Sequence, residues 1–178
     1  MSDAHLIRQV NAGDAARLAA FYTSNKTHLA PWEPARDEEF YSEPFWQQRI
    51  GDWMEQIALG NADYYLTVDT AADKILATCS ITNIVRGPFQ ACNIGYAVSA
   101  DEEGSGVMST LVRHVLNVAF NEHALNRVMA NYMPRNARSA RLLEKLGFER
   151  EGTARRYLLI NGTWEDHVLT AKLNPGKP

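Results

Sequence analysis

Two kinds of hydrophobic pattern alternate along the chain, and together they predict seven strands and four helices. Runs rich in β-branched and aromatic residues, bounded by turn residues, are typical of strands. Seven such runs occur, at residues 5–10, 64–69, 74–83, 90–98, 127–132, 155–160 and 164–173. An Asn161-Gly162 dipeptide joins the last two runs, and Asn-Gly between strand-like runs is typical of a β-hairpin. Gly87 and Pro88 mark the turn between the third and fourth runs.

Apolar residues spaced three and four apart predict helices between these strands. Asp14 is the expected N-cap of a helix that runs to about residue 22, and Ser42 is the expected cap of a second, with Pro44 in its first turn. Asn136 is the expected N-cap of the last helix, which ends at Gly147. The second helix has its apolar stripe at Trp46, Ile50, Trp53, Met54 and Ile57, and the third at Met108, Leu111, Val112, Val115 and Ala119.

This order predicts a mixed α/β sheet with helices on its faces, in one domain spanning residues 1–178. The fourth strand leads into a glycine-rich turn and a helix, and we expect a functional crevice at that junction.

Composition narrows the class of protein further. Apolar residues make up 46% and charged residues 22% of the chain, which excludes disordered and coiled-coil classes. The formal charge of −3 argues against a general nucleic-acid binder, so we expect no direct nucleic-acid partner.

The remaining composition predicts a cytoplasmic protein without metal. No apolar run approaches the roughly 18 residues that span a bilayer, which predicts no membrane partner. Residues 1–5 lack the basic and apolar regions of a signal peptide. Cys79 and Cys92 are expected to be free thiols, and the five scattered histidines predict no zinc site.

Two segments have residues suited to chemistry. Gly104 and Gly106 remove side chains from the turn, so that backbone N–H groups at a helix N-terminus can approach phosphate oxygens; the alternative is a flexible turn. Ser139 lies three, four and seven residues before Leu142, Leu143 and Leu146, so it shares the helix face that packs inward. Its hydroxyl can donate to a leaving group in a crevice, or it can be an ordinary serine of a first helical turn.

With these segments in their order, the sequence resembles the GNAT superfamily of acetyl-CoA-dependent N-acetyltransferases. Within the superfamily it is similar to the bacterial ribosomal-protein alanine N-acetyltransferases, notably those that act on the N-terminal alanine of small-subunit protein S5. The matching stretches lie at residues 31–38, 83–87, 94–96, 104–108, 127–152 and 157–171. The resemblance implies a mostly antiparallel twisted sheet that splays between its fourth and fifth strands.

The resemblance also implies a cofactor and its binding residues. Acetyl-CoA would be the co-substrate, with no metal, and the acceptor amine would attack the thioester directly. Ser139 would face the sulfur. The pantetheine arm and the pyrophosphate would lie against Ala97, Val98, Gly104, Ser105, Gly106, Val107, Met108, Asn131 and Asn136.

Two positions depart from the pattern of the superfamily. Glu103 stands where a neutral or cationic residue is usual. A carboxylate about 7 Å from a phosphate charge costs roughly 0.6–2.4 kcal/mol, equivalent to as much as a 50-fold loss of affinity. Asn93 stands where many relatives have a glutamate base. We therefore expect Glu33, directly or through water, to act as the base, and Tyr157 is a second polar candidate; both also fit non-catalytic positions.

The acceptor follows partly from amine chemistry. An α-amine with a pKa near 7.7–8.0 is roughly one-fifth neutral at pH 7.2, whereas under about 0.1% of a lysine amine is neutral. A site with a weak base therefore favours an α-amine, such as the N-terminus of a ribosomal protein. Two alternatives stay open: a small-amine acetyltransferase for polyamines or aminoglycosides, suggested by the acidic loop near Glu33, and a non-catalytic acyl-CoA-binding module.

Overall fold

The computed structural model describes residues 5–177, so most of the segment on which the signal-peptide expectation rests lies outside the described residues. Its strands are β1 (His5–Gln9), β2 (Asp63–Asp69), β3 (Lys74–Val85), β4 (Ala91–Val98), β5 (Arg127–Met129), β6 (Glu149–Ile160) and β7 (Thr163–Leu173). Its α-helices are α1 (Ala15–Ser24), α2 (Lys26–Leu29), α3 (Glu43–Ala58), α4 (Val107–Asn117) and α5 (Ala137–Lys145). Short 3₁₀ turns occur at Ala12–Asp14, Glu39–Tyr41 and Ala100–Glu102, and a π-helical turn at Val118–Glu122 follows α4. None of the helices within residues 5–177 is long and apolar enough to cross a membrane.

All seven strands form one mixed sheet in the order β1-β2-β3-β4-β5-β7-β6. Neighbouring strands are antiparallel except β4 and β5, which are parallel. Two hydrophobic cores result, because successive side chains of a strand point to opposite faces of a sheet. One core joins the sheet to α4 and α5, and the other joins it to α1 and α3. The predicted α/β mixed sheet with helices on its faces is confirmed.

The parallel pair accounts for the predicted splay. β4 and β5 pair only from Ala91 with Arg127 to Asn93 with Met129. Beyond that point the chain after β5 turns to β7, where Ala130 N donates to Thr170 O and Tyr132 N pairs with Val168. The fifth strand is therefore shorter than the predicted 127–132. Among the strands of residues 5–177, only β3 pairs with the rest of β4.

Two of the three predicted helix caps form as expected. Ser42 accepts a hydrogen bond from Phe45 N, and Asn136 accepts one from Ser139 N. Asp14 occupies the N-cap position of α1 but makes no capping bond with its side chain. Its carboxylate instead pairs with Arg8 at 2.6 Å, and the side chain of Asn11 caps the preceding 3₁₀ turn.

The other sequence predictions differ from the structure in detail. The helical spacing predicts Met54 in the apolar stripe of α3, but this residue is 46% exposed because that helix buries its Trp46 and Ile50 side.

The hairpin forms at Asn161-Gly162, and both residues have positive φ angles, as such a tight turn requires. Its first strand begins at Glu149, six residues before the predicted start at Arg155.

Candidate active site

A cleft of about 740 Å³ opens where β4 separates from β5, at the predicted junction of strand, glycine turn and helix. Its size lies within the range of small-molecule sites. Four parts of the chain form its walls: the α2 region, the end of β4, the glycine turn with the start of α4, and α5. The lining includes His28, Trp32, Glu33, Tyr96, Ala97, Val98, Glu103, Gly104, Gly106, Met108, Arg135, Asn136, Arg138, Ser139, Arg141 and Lys145.

The glycine turn presents free backbone donors to the cleft. Gly104 and Gly106 have φ angles of +78° and +91°, which L-residues with side chains rarely adopt. Apart from the residues adjacent in the chain, no atom of residues 5–177 lies within 4 Å of the position that a Cβ would occupy at either glycine. The N–H groups of Met108 and Ser109, in the first turn of α4, donate to no group among residues 5–177. Such orphan donors at a helix N-terminus are suited to an anion.

The backbone site that the sequence predicts for phosphate at residues 104–108 is here called the anion cradle. Ser105 and Val107 differ from its other residues. The Ser105 hydroxyl donates to Glu102 O at 2.8 Å and accepts from Val107 N at 3.3 Å. The Val107 N–H is therefore satisfied within the turn, and neither residue belongs to the cleft lining. The exposed part of the cradle consists of Gly104, Gly106 and the start of α4.

Glu103 is paired across the cleft. Arg138 Nη1 of α5 donates to its carboxylate, and His28 Nε2 lies 3.7 Å from it. From the sequence, the arginines of the following helix either offset the charge of Glu103 or lie in solvent, and in the structure the Arg138 guanidinium lies against Glu103. Arg141 and Lys145 line the same wall, and neither forms an ion pair with a residue in the described range 5–177.

Ser139 is fixed at the start of α5. Its N–H donates to the side chain of Asn136 at 3.0 Å, and only 9% of the residue is exposed. The hydroxyl oxygens of Ser139 and Tyr96 lie 2.6 Å apart. Burial raises the pKa of Tyr96, and the hydrogen bond with Ser139 partly offsets this rise. Sequence reasoning missed Tyr96 as a site residue, although alternation along β4 places it on the face that α5 covers.

Glu33 lies in a loop that other elements hold against the cleft. Arg135 Nη2 donates to Pro31 O at 3.1 Å, and its guanidinium lies 5.6 Å from the centre of the Trp32 ring. Asn161, in the turn of the β6–β7 hairpin, donates its N–H to Glu33 O at 3.2 Å. Burial raises the pKa of the Glu33 carboxyl, while Arg36, with its Nη2 3.9 Å away, acts in the opposite direction. The Glu33 side chain also borders a smaller cavity of about 150 Å³ behind the loop.

Asn131 and Tyr157 are not brought into the lining of the cleft. Asn131 Nδ2 donates to the Tyr157 hydroxyl at 3.1 Å, and Asn131 Oδ1 accepts from Thr170 N at 3.3 Å. Tyr157 is 39% exposed, and the centre of its ring lies 5.3 Å from that of His167. These contacts connect the chain after β5 with the hairpin.

The cysteines take no part in the cleft. Both are buried and unpaired, as the sequence predicted. Burial raises the pKa of the Cys79 thiol, and raises that of Cys92 to about 12, so neither is a ready nucleophile. Within residues 5–177 the structure holds no group of three or more side chains arranged to bind a metal ion.

A family model, a curated protein and two solved structures all match this chain and agree on the kind of protein it resembles. Residues 5–149 match the family model described as "Acetyltransferase (GNAT) domain". The [Ribosomal protein uS5]-alanine N-acetyltransferase of Escherichia coli is 41% identical over 174 residues, which cover 98% of this chain and 90% of that protein. The crystal structure of a ribosomal-protein-S5-alanine acetyltransferase from Vibrio fischeri superposes with a TM-score of 0.95 at 40% identity, covering 100% of this chain and 98% of that one. Mycobacterium smegmatis RimJ, solved with a CoA-disulfide, gives a TM-score of 0.90 at 26% identity, covering 98% of this chain and 84% of that one.

Proposed function

Since the chain belongs to the GNAT acetyltransferase family, we propose that it transfers the acetyl group of acetyl-CoA to the N-terminal alanine of a ribosomal protein resembling S5. The observation that carries this proposal is the placement of Glu33 and Ser139 on one cleft, beside an anion cradle. We further propose that residues 1–178 act as a single catalytic domain, and that the enzyme works in the cytoplasm, where ribosomal acceptors are made.

The donor set of the cleft fits acetyl-CoA. The free N–H groups at the start of α4 suit the pyrophosphate, and Arg141 and Lys145 add positive charge along the same wall. The end of β4, at Ala97 and Val98, has no partner strand on the side of the splay, so its backbone is available to an amide-bearing arm. Asn136, the N-cap of α5, and Ser139, in its first turn, would face this arm, whereas Ser105, Val107 and Asn131 would support it from behind the lining.

In the proposed reaction, side chains of this protein accept a proton and orient the reacting groups. When bound, acetyl-CoA supplies an acetyl group activated as a thioester. Glu33 takes the proton of the acceptor amine, directly or through water, and its raised pKa makes it a better base near neutral pH. Ser139 donates a hydrogen bond toward the sulfur, and Tyr157 remains a candidate for contact with the acceptor.

Direct transfer, without an acylated side chain, agrees with the state of the two thiols. Cys79 lies within the sheet core and Cys92 on the adjacent strand, both buried. Their raised pKa values keep them protonated at neutral pH. Neither can accept an acetyl group from a ligand in the cleft.

An α-amine acceptor is favoured over a polyamine by the charges of the loop. The acidic segment is partly neutralised, because Lys26 pairs with Glu38 at 2.7 Å and Arg36 lies near Glu33. The loop is therefore a weaker attractor for a polycation than its sequence suggested. The unfavourable charge of Glu103 near the phosphates was one argument for a non-catalytic module. This argument is weaker because Glu103 is paired with Arg138.

A peptide assay tests the proposal. The purified protein is incubated with acetyl-CoA and a synthetic peptide that begins with alanine and contains a lysine. The matched control is the same peptide with a formylated N-terminus, and spermidine serves as a small-amine acceptor. Release of free thiol gives the rate, and mass spectrometry locates the acetyl group.

We expect acetylation at the α-amine of the alanine peptide, little at its lysine, and little of the formylated peptide. Faster turnover of spermidine at equal concentration would overturn the proposal in favour of a small-amine enzyme. CoA binding without turnover of any acceptor would overturn it in favour of a binding module.

A further inference from the structure

A partly buried phenol, that of Tyr96, lies next to the hydroxyl of Ser139, to which the proposed function gives the contact with the cofactor sulfur. Tyr96 projects from β4 at the splay, and Ser139 occupies the first turn of α5. Their hydroxyl oxygens are 2.6 Å apart, within the range of a direct O–H···O hydrogen bond. Both residues line the cleft.

One hydroxyl of the Tyr96–Ser139 pair donates and the other accepts. Each hydroxyl has one hydrogen, and only one hydrogen can lie between the two oxygens. Among residues 5–177, Ser139 is the hydrogen-bond partner of the Tyr96 hydroxyl. A phenol is a stronger hydrogen-bond donor than an aliphatic hydroxyl, whose oxygen is in turn the better acceptor, so the phenol is expected to donate to Ser139. The Ser139 hydrogen is then free to point into the cleft.

We propose that Tyr96 is a positioning residue, which donates to Ser139 Oγ and thereby directs the Ser139 hydrogen toward the sulfur of the cofactor. The inference rests on the proposed function and adds a residue to its site. Without Tyr96, the serine hydroxyl would rotate among its staggered positions and could donate to other acceptors.

The arrangement stabilises the leaving sulfur without a relay of protons. In the transfer, a carbon–nitrogen bond forms, the carbon–sulfur bond breaks, and the electron pair of that bond stays on the sulfur. The proton of the amine goes to Glu33 or to water. Burial raises the pKa of Tyr96, so the phenol keeps its proton and cannot replace one lost by Ser139. Ser139 therefore acts as a hydrogen-bond donor, strengthened by the donor behind it.

A double-mutant cycle with Tyr96→Phe and Ser139→Ala tests the inference. The first readout is the kcat for the best acceptor. The second is the affinity of CoA relative to desulfo-coenzyme A, measured by calorimetry near the pKa of the CoA thiol. Desulfo-coenzyme A lacks the sulfur, so the affinity ratio isolates the contact with it and needs no acceptor.

We expect Tyr96→Phe to lower kcat about tenfold with little change in acceptor KM, and to reduce the preference for CoA. The double variant should match Ser139→Ala in both readouts, because Tyr96 acts through Ser139. Independent, additive effects would overturn the inference, as would a Tyr96→Phe variant that equals the wild type.

Tyr65→Phe is the matched control. Tyr65 is a buried tyrosine of β2 whose ring packs on His114, away from the cleft. It should leave both readouts unchanged. The two proposals fail in different ways: absence of alanine acetylation would overturn the proposed acceptor, while a non-additive affinity ratio would still support the role of Tyr96.

Discussion

At the scale of single residues, Glu33 combines a cost in stability with a proposed role in chemistry. Burial raises its pKa, with Arg36 acting in the opposite direction. The ionised form is therefore disfavoured in the folded protein relative to the unfolded chain. Below the unfolded pKa this difference has no effect on stability, and as the pH rises through the folded pKa stability is lost.

Replacing Glu33 by glutamine should therefore separate function from stability. We expect Glu33→Gln to lower kcat at least about tenfold, because the variant has no base, and to raise the melting temperature at neutral pH. The gain in melting temperature should shrink as the pH falls into the range where glutamates are protonated. Thermal unfolding at several pH values, together with the pH dependence of kcat, measures both effects.

Glu55→Gln supplies the control, because Glu55 is an exposed carboxylate of α3. Its kcat and melting temperature should stay close to those of the wild type. A Glu33→Gln variant with full activity would remove Glu33 from the proposed mechanism. An unchanged melting temperature at neutral pH would contradict the cost of burying the ionised carboxylate.

At the scale of elements, the first turn of α5 connects a helix cap with the candidate site. Asn136→Ala removes the bond to Ser139 N, and Ser42→Ala removes the equivalent bond at α3. Each should lower the free energy of unfolding by about 1 kcal/mol, measured by urea denaturation. Only Asn136→Ala should also lower kcat/KM, since that turn holds Ser139. Equal loss of activity in both variants would show that the effect comes from stability alone.

These caps belong to the part of the structure that the sequence predicts well. Ser42, Asn136 and the Asn161-Gly162 turn are local signals, because each depends on residues within one turn of the chain. Helix α2 has no such signal: its N-cap, Asn25, makes no capping bond and instead accepts from Ala100 N. The first half of β6 escapes prediction because it is an exposed edge strand, on which no apolar alternation is required.

The candidate site is less predictable than the elements that form it. The sequence indicates the glycine turn, Glu33 and Ser139, and all three border the cleft. The pairs Tyr96–Ser139 and Glu103–Arg138 join residues far apart in the chain, so no periodic pattern reveals them. Asn131 was expected at the cleft as well, but the turn of the chain toward β7 directs its side chain to Tyr157 and Thr170.

At the scale of the whole molecule, the cleft separates two halves of the sheet that share only a short parallel pairing. A ligand that contacts β4, α4 and α5 together should therefore stabilise the folded state by mass action. At 100 times its Kd, CoA should add about 2.7 kcal/mol and raise the melting temperature by about 5–10 °C. Differential scanning fluorimetry measures the shift. ATP at the same concentration is the control, and an equal shift with ATP would contradict a site specific for CoA.

The order of strands also makes assembly of the site depend on the synthesis of β7. β7 is inserted between β5 and β6, although it is the last strand of the sheet to be made. Until it leaves the ribosome, β6 lacks its partner, and β5 is held only by its three paired positions with β4. The same hairpin supplies the Asn161 bond to the loop of Glu33. A nascent chain can therefore fold its N-terminal strands early, whereas the acceptor side of the site assembles only after the C-terminal strand has emerged.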